Sequence, residues 1–200
     1  MFKYDYCFRA AGEGDLYELK RMHKAGFSLD KVIGYAFAGG SLKCLKYAYE
    51  NGCKWNSLDI INAAGEGHLD CLKYAHENGC KWDASVCSSA AESGHLDCLK
   101  YAHENGCKWD KRTTDYSSEN GHLECLKYAY ENGCNLELSS LVEAALHGQI
   151  ETFNYCYTKL KDVNTDFNYD IDLTHIIDKI DINNSVTKEP FYLNFLKRPL

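Results

Sequence analysis

One stretch of seventeen residues occurs twice in this chain without a single change, from Gly67 to Asp83 and again from Gly94 to Asp110. A third, closely similar copy begins at Gly121, and a more divergent copy surrounds Gly40. Successive copies are 27 residues apart. Self-similarity at a fixed short period is typical of a solenoid, in which each unit packs on its neighbours. The repeat therefore constrains the fold before any residue is considered for its chemistry.

Each repeat contains two segments with helical periodicity, placed on either side of a marker glycine. The markers, which define six units over about residues 1–160, are Gly14, Gly40, Gly67, Gly94, Gly121 and Gly148. After the marker, Cys71, Leu72 and Ala75 exemplify an apolar stripe that predicts the second helix of a repeat. Before the marker, a shorter segment carries small residues such as Ala90 and Ala91 at helical spacing, and it predicts the first helix.

Polar residues precede the first helices at matching positions. These residues are Asp30, Asn56, Asp83, Asp110 and Glu137. The Asp and Asn residues suit the N-cap position, because their side-chain oxygens accept hydrogen bonds from the first free backbone amides. We therefore expect the first helix of each repeat to begin directly after them.

Composition and charge exclude several classes of protein. The chain has 200 residues, a net charge of −7 and no cluster of Lys or Arg, whereas nucleic-acid binding requires a basic face. No apolar run approaches the roughly 18 residues of a membrane span, and the charged N-terminal segment does not fit a signal peptide. We expect a cytoplasmic protein that binds neither nucleic acid nor membrane.

Eleven cysteines recur with the repeat instead of forming a disulfide framework. Equivalent cysteines of stacked repeats would be about 8–10 Å apart, beyond the roughly 7 Å between Cα atoms that a disulfide allows. Pairs such as His68 and Cys71, one helical turn apart, could hold zinc, but the spacing typical of zinc sites is absent. Many equivalent Cys–His pairs also argue against a single active site. The sequence predicts buried, reduced thiols, no cofactor, no metal and no catalysis.

The repeat unit resembles the ankyrin repeat. Its core A-A-x-x-G-H-x-x-V-V-x-x-L-L-x-x-G-A is matched here by Ala90, Ala91, Gly94, His95, Cys98, Leu99, Ala102, Gly106 and Cys107. The usual ankyrin period is 33 residues, and the T-P-L-H entry of the first helix is replaced by Ser85-Val86-Cys87-Ser88. The missing residues fall where ankyrin repeats form a projecting β-hairpin. Short repeats of this type resemble those of large DNA viruses of amoebae.

The first helices vary between units whose second helices are nearly identical. In ankyrin arrays the first helix lines the concave surface where targets bind, so the resemblance implies a partner-binding face there. The candidate partner-binding residues are Tyr35, Ile61, Asn62, Ser88, Ser89, Arg112, Asp115, Tyr116 and Glu143. Neutral drift at tolerant exposed sites is the alternative explanation of the same variation.

We therefore expect an all-α, ankyrin-like solenoid of six short repeats without long β-hairpins over residues 1–160, followed by a C-terminal helical cap over 161–200. The expected function is non-catalytic binding of a protein partner, such as a host protein in the host cytoplasm, by a monomer. One alternative is an adaptor whose C-terminal tail docks a second partner such as a ubiquitin-ligase component. Another is a metal- or redox-responsive protein built on its Cys and His residues.

Overall fold

A computed structural model describes residues 5–163, which contain twelve helices and no strand. The chain divides into two compact units between Trp109 and Asp110. The helices of the first unit are α1 Asp5–Gly12, α2 Leu16–Lys24, α3 Val32–Ala38, α4 Leu42–Glu50, α5 Ser57–Gly65, α6 Leu69–Glu77, α7 Ala84–Glu92 and α8 Leu96–Glu104. Those of the second unit are α9 Lys111–Glu119, α10 Leu123–Glu131, α11 Leu138–Leu146 and α12 Ile150–Val163.

The helices form six pairs, each with a first and a second helix as the repeat predicts. In the first unit α1, α3, α5 and α7 pack side by side, and α2, α4, α6 and α8 form a second row. In the second unit α9 packs on α11, and α10 packs on α12. The predicted all-α repeat fold without β-hairpins is confirmed for the described residues. The predicted C-terminal cap falls almost entirely on residues 164–200, which lie outside them.

The N-caps follow the sequence prediction in three of the repeats. Asp83 and Asp110 accept hydrogen bonds from the amides of the second helical residue, and Asn56 forms a full capping box with Asp59. Glu137 occupies the same position without a side-chain bond. The prediction for Asp30 was wrong. Helix α3 begins one residue later than expected, after a residue with a φ of 65°, in the left-handed region.

The core of each unit is built from the small residues of the first helices and the Cys-Leu-Ala stripe of the second helices. Cys71, Leu72 and Ala75 have no exposed surface, and neither do Ala90 and Ala91. Small side chains let the two helices of a repeat approach closely, while the leucines supply most of the buried apolar area. The apolar stripes read from the sequence are therefore the packing surfaces of the repeats.

Helix α9 departs from this pattern because its buried face is polar. Thr113, Thr114, Ser117 and Ser118 are all completely buried. The hydroxyl of Ser117 donates to the backbone carbonyl of Thr113 at 2.7 Å, and that of Thr114 lies 2.7 Å from the carbonyl oxygen of Asn135. The hydroxyl of Thr113 has no hydrogen-bond partner among the described residues. An unpaired buried hydroxyl destabilises the folded state.

We expect Thr113→Val to stabilise the protein. The substitution removes the unpaired hydroxyl, whose burial costs about 1–3 kcal/mol, and valine already occupies the equivalent buried positions Val32 and Val86. The free energy of unfolding should rise by about 1–2 kcal/mol in urea denaturation. Thr114→Val is the matched control. It should lower the free energy of unfolding, since it removes the hydroxyl that donates to the carbonyl of Asn135. Destabilisation by both variants would contradict the assignment of the unpaired hydroxyl.

Candidate partner-binding face

The first helices of the first unit present a row of side chains five residues before each marker glycine. We call this row, with its immediate neighbours on the same helices, the first-helix face. Tyr35 is 48% exposed and Asn62 is exposed, while Ile61 and Ser89 are half-buried. The ring of Tyr35 stacks on Phe8 of the preceding repeat, with centroids 4.8 Å apart and planes 9° apart. The phenol therefore has one packed face and a substantial exposed area.

Ser88 does not belong to this surface. It was expected among the binding residues, but it is only 4% exposed, and its hydroxyl donates to the backbone carbonyl of Ser85 at 3.2 Å. The equivalent and longer side chain of Ile61 is half-buried at the same register, so the short serine side chain is covered where a longer one reaches the surface. A hydroxyl that bonds its own helix one turn back offers no group to a partner.

The candidate residues of the second unit are held by contacts within that unit. Asp115 is half-buried and accepts hydrogen bonds from Ser139 and Ser140 at 2.8 and 2.7 Å. Arg112 lies beside the N-cap carboxylate of Asp110, with nitrogen–oxygen distances of 2.9–3.1 Å. This guanidinium lowers the pKa of Asp110. Asp115 is therefore a structural acceptor between α9 and α11, and Arg112 supports the start of α9.

Tyr116 and Glu143 lie on the exposed sides of α9 and α11, and both are half-buried. A carboxylate oxygen of Glu143 is 3.8 Å from the Nδ1 atom of His147, one turn along the helix. Tyr116 is the second tyrosine of the candidate set, after Tyr35 in the first unit. Each unit thus presents one tyrosine at the predicted position.

The repeated histidines have a structural role in the first unit. The Nε2 atom of His68 is 3.0 Å from the carbonyl oxygen of Ala38 in the preceding repeat. Its ring covers the marker Gly40, where a Cβ atom would lie 2.4 Å from the imidazole. Gly40 also has a φ of 63°, so both its conformation and its contact with the histidine require glycine. The histidine of one repeat thus requires glycine as the marker of the preceding repeat, and His95 covers Gly67 in the same way.

The repeated tryptophans lie against the second helices, where they are half-buried. Trp55 stacks on Tyr49 at 4.0 Å, and Trp82 stacks on His76 at 3.8 Å. Tyr101 meets the edge of Trp82, with centroids 6.1 Å apart. The indoles are thus neither fully buried nor fully exposed. Each ring covers the end of a second helix with one face, and part of its surface stays in contact with solvent.

Most cysteines are buried and have pKa values that suppress the thiolate. Burial raises the pKa of Cys71 to about 12 and that of Cys156 to about 11. A hydrogen bond involving Cys87 lowers the pKa of Cys107, whose thiol also donates to the carbonyl of Asp83 at 3.1 Å. None of the eleven cysteines forms a disulfide bond. Because nucleophiles and metal ligands require the thiolate, Cys71 and Cys156 are poorly suited to either role at neutral pH.

Residues 5–163 hold no group of three or more His, Cys, Asp or Glu side chains that could bind a metal ion. They also contain no helix whose length and apolar character would let it cross a membrane.

A cavity on the first-helix face was not anticipated from the sequence. It lies between α3 and α5, has a volume of about 490 Å³, and is lined by Gly34, Tyr35, Asp59 and Asn62 among others. Tyr35 and Asn62 are among the predicted binding residues because they vary between repeats, whereas Asp59 is not among them. The available signal was that Asp59 is an acidic residue at a position where most other repeats bury Val, Thr or Ser.

Comparison with known proteins identifies the repeat. Residues 60–140 match the family model of three ankyrin repeats. These residues are similar to ankyrin repeats. Among solved structures, the ankyrin repeat domain of human ASB11 superposes with a TM-score of 0.68 over 76% of this chain and 82% of that one, at 21% sequence identity. No curated protein sequence is significantly similar to the chain.

The ankyrin assignment confirms the family resemblance and the fold expected from the motif. Ankyrin repeats generally mediate protein–protein interactions and are typically non-catalytic scaffolds. The repeats differ from the usual ankyrin pattern in their 27-residue period, and the described residues contain no strand between the helix pairs.

Proposed function

We propose that this ankyrin-repeat chain binds a protein partner through the first-helix face and has no catalytic role. The observation that carries the proposal is the distribution of differences between its repeats. Second helices α6 and α8 are identical in sequence, whereas first helices α5, α7 and α9 differ at most positions outside the buried stripe. Conserved second helices with variable first helices are expected when one face adapts to a partner.

The exposed aromatic and polar groups of this face support the proposal. Tyrosines bury a large area at a small entropic cost and keep a polar tip, so they are favoured anchors of protein interfaces. On this face of the first unit Tyr35 supplies such a group, and Asn62 and Ser89 add hydrogen-bonding capacity. In the second unit Tyr116 supplies a tyrosine at the equivalent position. Ser88 is excluded because it is buried, and the carboxylate of Asp115 is engaged by Ser139 and Ser140, so its role is structural.

The setting of this function is part of the same proposal. The short repeats resemble those of large DNA viruses of amoebae, and this resemblance favours a host cytoplasmic protein as the partner. An adaptor role for the C-terminal tail depends on residues 164–200, which lie outside the described structure.

We expect Tyr35→Ala and Tyr116→Ala to weaken partner binding by about 2 kcal/mol each, which is roughly a thirtyfold loss of affinity. The test captures partners from host cytosolic extract with the full chain and then measures the affinity of each captured protein. Circular dichroism would monitor stability, since the loss of the Phe8–Tyr35 stack alone should cost about 0.5–1.5 kcal/mol.

Tyr17→Ala is the matched control. Tyr17 is 78% exposed and lies on the second helix α2, so its truncation removes the same group from the opposite helix of a repeat. Binding that is lost with Tyr17→Ala and kept with both first-helix variants would assign the interface to the second helices and refute the proposed face.

A further inference from the structure

Two neighbouring residues of the first unit break the repeat pattern together. Gly34 stands on α3 where the other repeats carry a side chain, and Asp59 stands on α5 where the others carry an apolar or hydroxyl residue. The residues that correspond to Gly34 are Phe8, Ile61, Ser88, Asp115 and Val142. Those that correspond to Asp59 in repeats two, four, five and six are Val32, Val86, Thr113 and Ser140.

The Asp59 carboxylate is buried and only half-satisfied. The residue is 9% exposed, and its Oδ2 atom accepts a hydrogen bond from the backbone amide of Asn56 at 2.8 Å. The Oδ1 atom faces Gly34, where a Cβ atom would lie 3.0 Å away. Among the described residues, no donor bonds to Oδ1 and no cationic side chain pairs with the carboxylate. Since Asp59 also lines the cavity between α3 and α5, this oxygen is available to a donor that enters the cavity.

In the second unit, the residues at the positions equivalent to Gly34 and Asp59 form hydrogen bonds with each other. There Asp115, which corresponds to Gly34, accepts hydrogen bonds from Ser139 and from Ser140, the residue that corresponds to Asp59. The carboxylate and the hydroxyl groups that donate to it thus come from adjacent repeats of the same unit. In the first unit the acid is present on α5, but Gly34 offers no donor. Gly34 and Asp59 both line the cavity of about 490 Å³.

The cavity combines an acidic floor with apolar and aromatic walls. Ile33 and Ala38 line it together with the half-exposed ring of Tyr35, while Lys31 and Lys54 lie exposed on its lining. An aliphatic stem fits such walls, a charged donor forms the strongest hydrogen bond to a carboxylate, and a cation is favoured beside an aromatic ring. We propose that this cavity receives a lysine or arginine side chain of the protein partner, with its charged end on Asp59 Oδ1.

This inference rests on the proposed function, because it names the chemistry of the group that the first-helix face recognises. Its test needs no partner, however. The probes are N-acetyl-arginine amide, N-acetyl-lysine amide and, as a neutral analogue of similar length, N-acetyl-norleucine amide. Each is titrated into the full ¹⁵N-labelled chain at constant ionic strength, and the amide signals of Gly34, Tyr35 and Asp59 are followed.

We expect at least one cationic probe to give saturable shifts at these amides, with an affinity at least about tenfold higher than that of the neutral probe. Asp59→Asn keeps an oxygen that can accept from Asn56 but removes the charge, and it should weaken the cationic probe by about tenfold. Asp59→Val, which restores the residue found at Val32 and Val86, is a second variant that should fold and abolish the shifts.

Three results would overturn the proposal: no saturable shift with either cation, equal shifts with the neutral probe, or binding that persists in both Asp59 variants. The outcome is independent of the tyrosine test. Cation binding without any effect of Tyr35→Ala and Tyr116→Ala on a partner would refute the proposed face, and with it a partner's side chain as the occupant, while the affinity of the cavity for a basic group would stand. The reverse pattern would refute the basic side chain as occupant and leave the face as the interface.

Discussion

Phe37→Ala should lower the free energy of unfolding by about 3–5 kcal/mol, although alanine is the most frequent residue at this position in the other repeats. Phe37 is completely buried in α3, and its ring meets the edge of Trp55, with centroids 6.2 Å apart. The surrounding side chains are packed around a phenyl ring, so its removal leaves a cavity as well as losing the transfer free energy of the ring.

Urea denaturation followed by circular dichroism measures this change. Leu58→Ala is the control, because it truncates an apolar side chain that is 65% exposed on α5 and should change the unfolding free energy by no more than about 0.5 kcal/mol. If Phe37→Ala lowers the free energy of unfolding by less than about 1 kcal/mol, the side chains around Phe37 can repack as they do around alanine in the other repeats, and the prediction is wrong.

Gly39→Ala should destabilise the first unit by about 3 kcal/mol or more, at or beyond the upper end of ordinary overpacking. A Cβ atom on Gly39 would lie 1.9 Å from the backbone oxygen of Gly12 and 2.6 Å from its carbonyl carbon. Since the obstacle is backbone, no rotamer change can relieve the clash, and α1 would have to move away from α3. The residues at the equivalent position elsewhere are Glu13, Glu66, Ser93, Asn120 and His147.

The matched control is Gly12→Ala, the same substitution on the other side of this contact. Its Cβ atom would meet only the Tyr35 carbonyl oxygen, at an ordinary 3.7 Å. Because Gly12 is the last residue of α1, alanine should be neutral or stabilising by up to about 1 kcal/mol. Thermal unfolding of both variants provides the measurement. If the two changes have equal effects, the close approach of the two backbones does not limit stability.

The repeat made several features of the fold accessible from the sequence. Exact copies from Gly67 and Gly94 set the period, the Cys-Leu-Ala stripe located the second helices, and Asn56, Asp83 and Asp110 marked the starts of first helices. These features are local or periodic, so helical spacing and capping chemistry suffice to predict them. The repeated core motif with its Gly-His pair also indicated the resemblance to ankyrin repeats, and the family match over residues 60–140 supports it.

The candidate site was predicted less completely. Tyr35 and Asn62 are exposed as expected, but Ser88 is buried, and the side chain of Asp115 is engaged by Ser139 and Ser140. Position relative to a marker gives the angle of a side chain around its helix. It does not give the distance to the next repeat, and that distance determines whether a side chain at the edge of the stripe is covered.

What the sequence alone determined is therefore the set of elements: two helices per repeat, their order, their apolar stripes and the absence of residues for hairpins between them. Only the tertiary structure decided how neighbouring repeats meet. It brought Gly34 next to the unpaired oxygen of Asp59, and it brought Gly39 against the backbone of Gly12. Both contacts join different repeats. The repeat period predicts what neighbouring repeats share, and it does not predict how a residue that breaks the pattern in one repeat meets the next. The physical reason is that helical pattern is a property of one segment, whereas cavities and close contacts depend on the side chains of two.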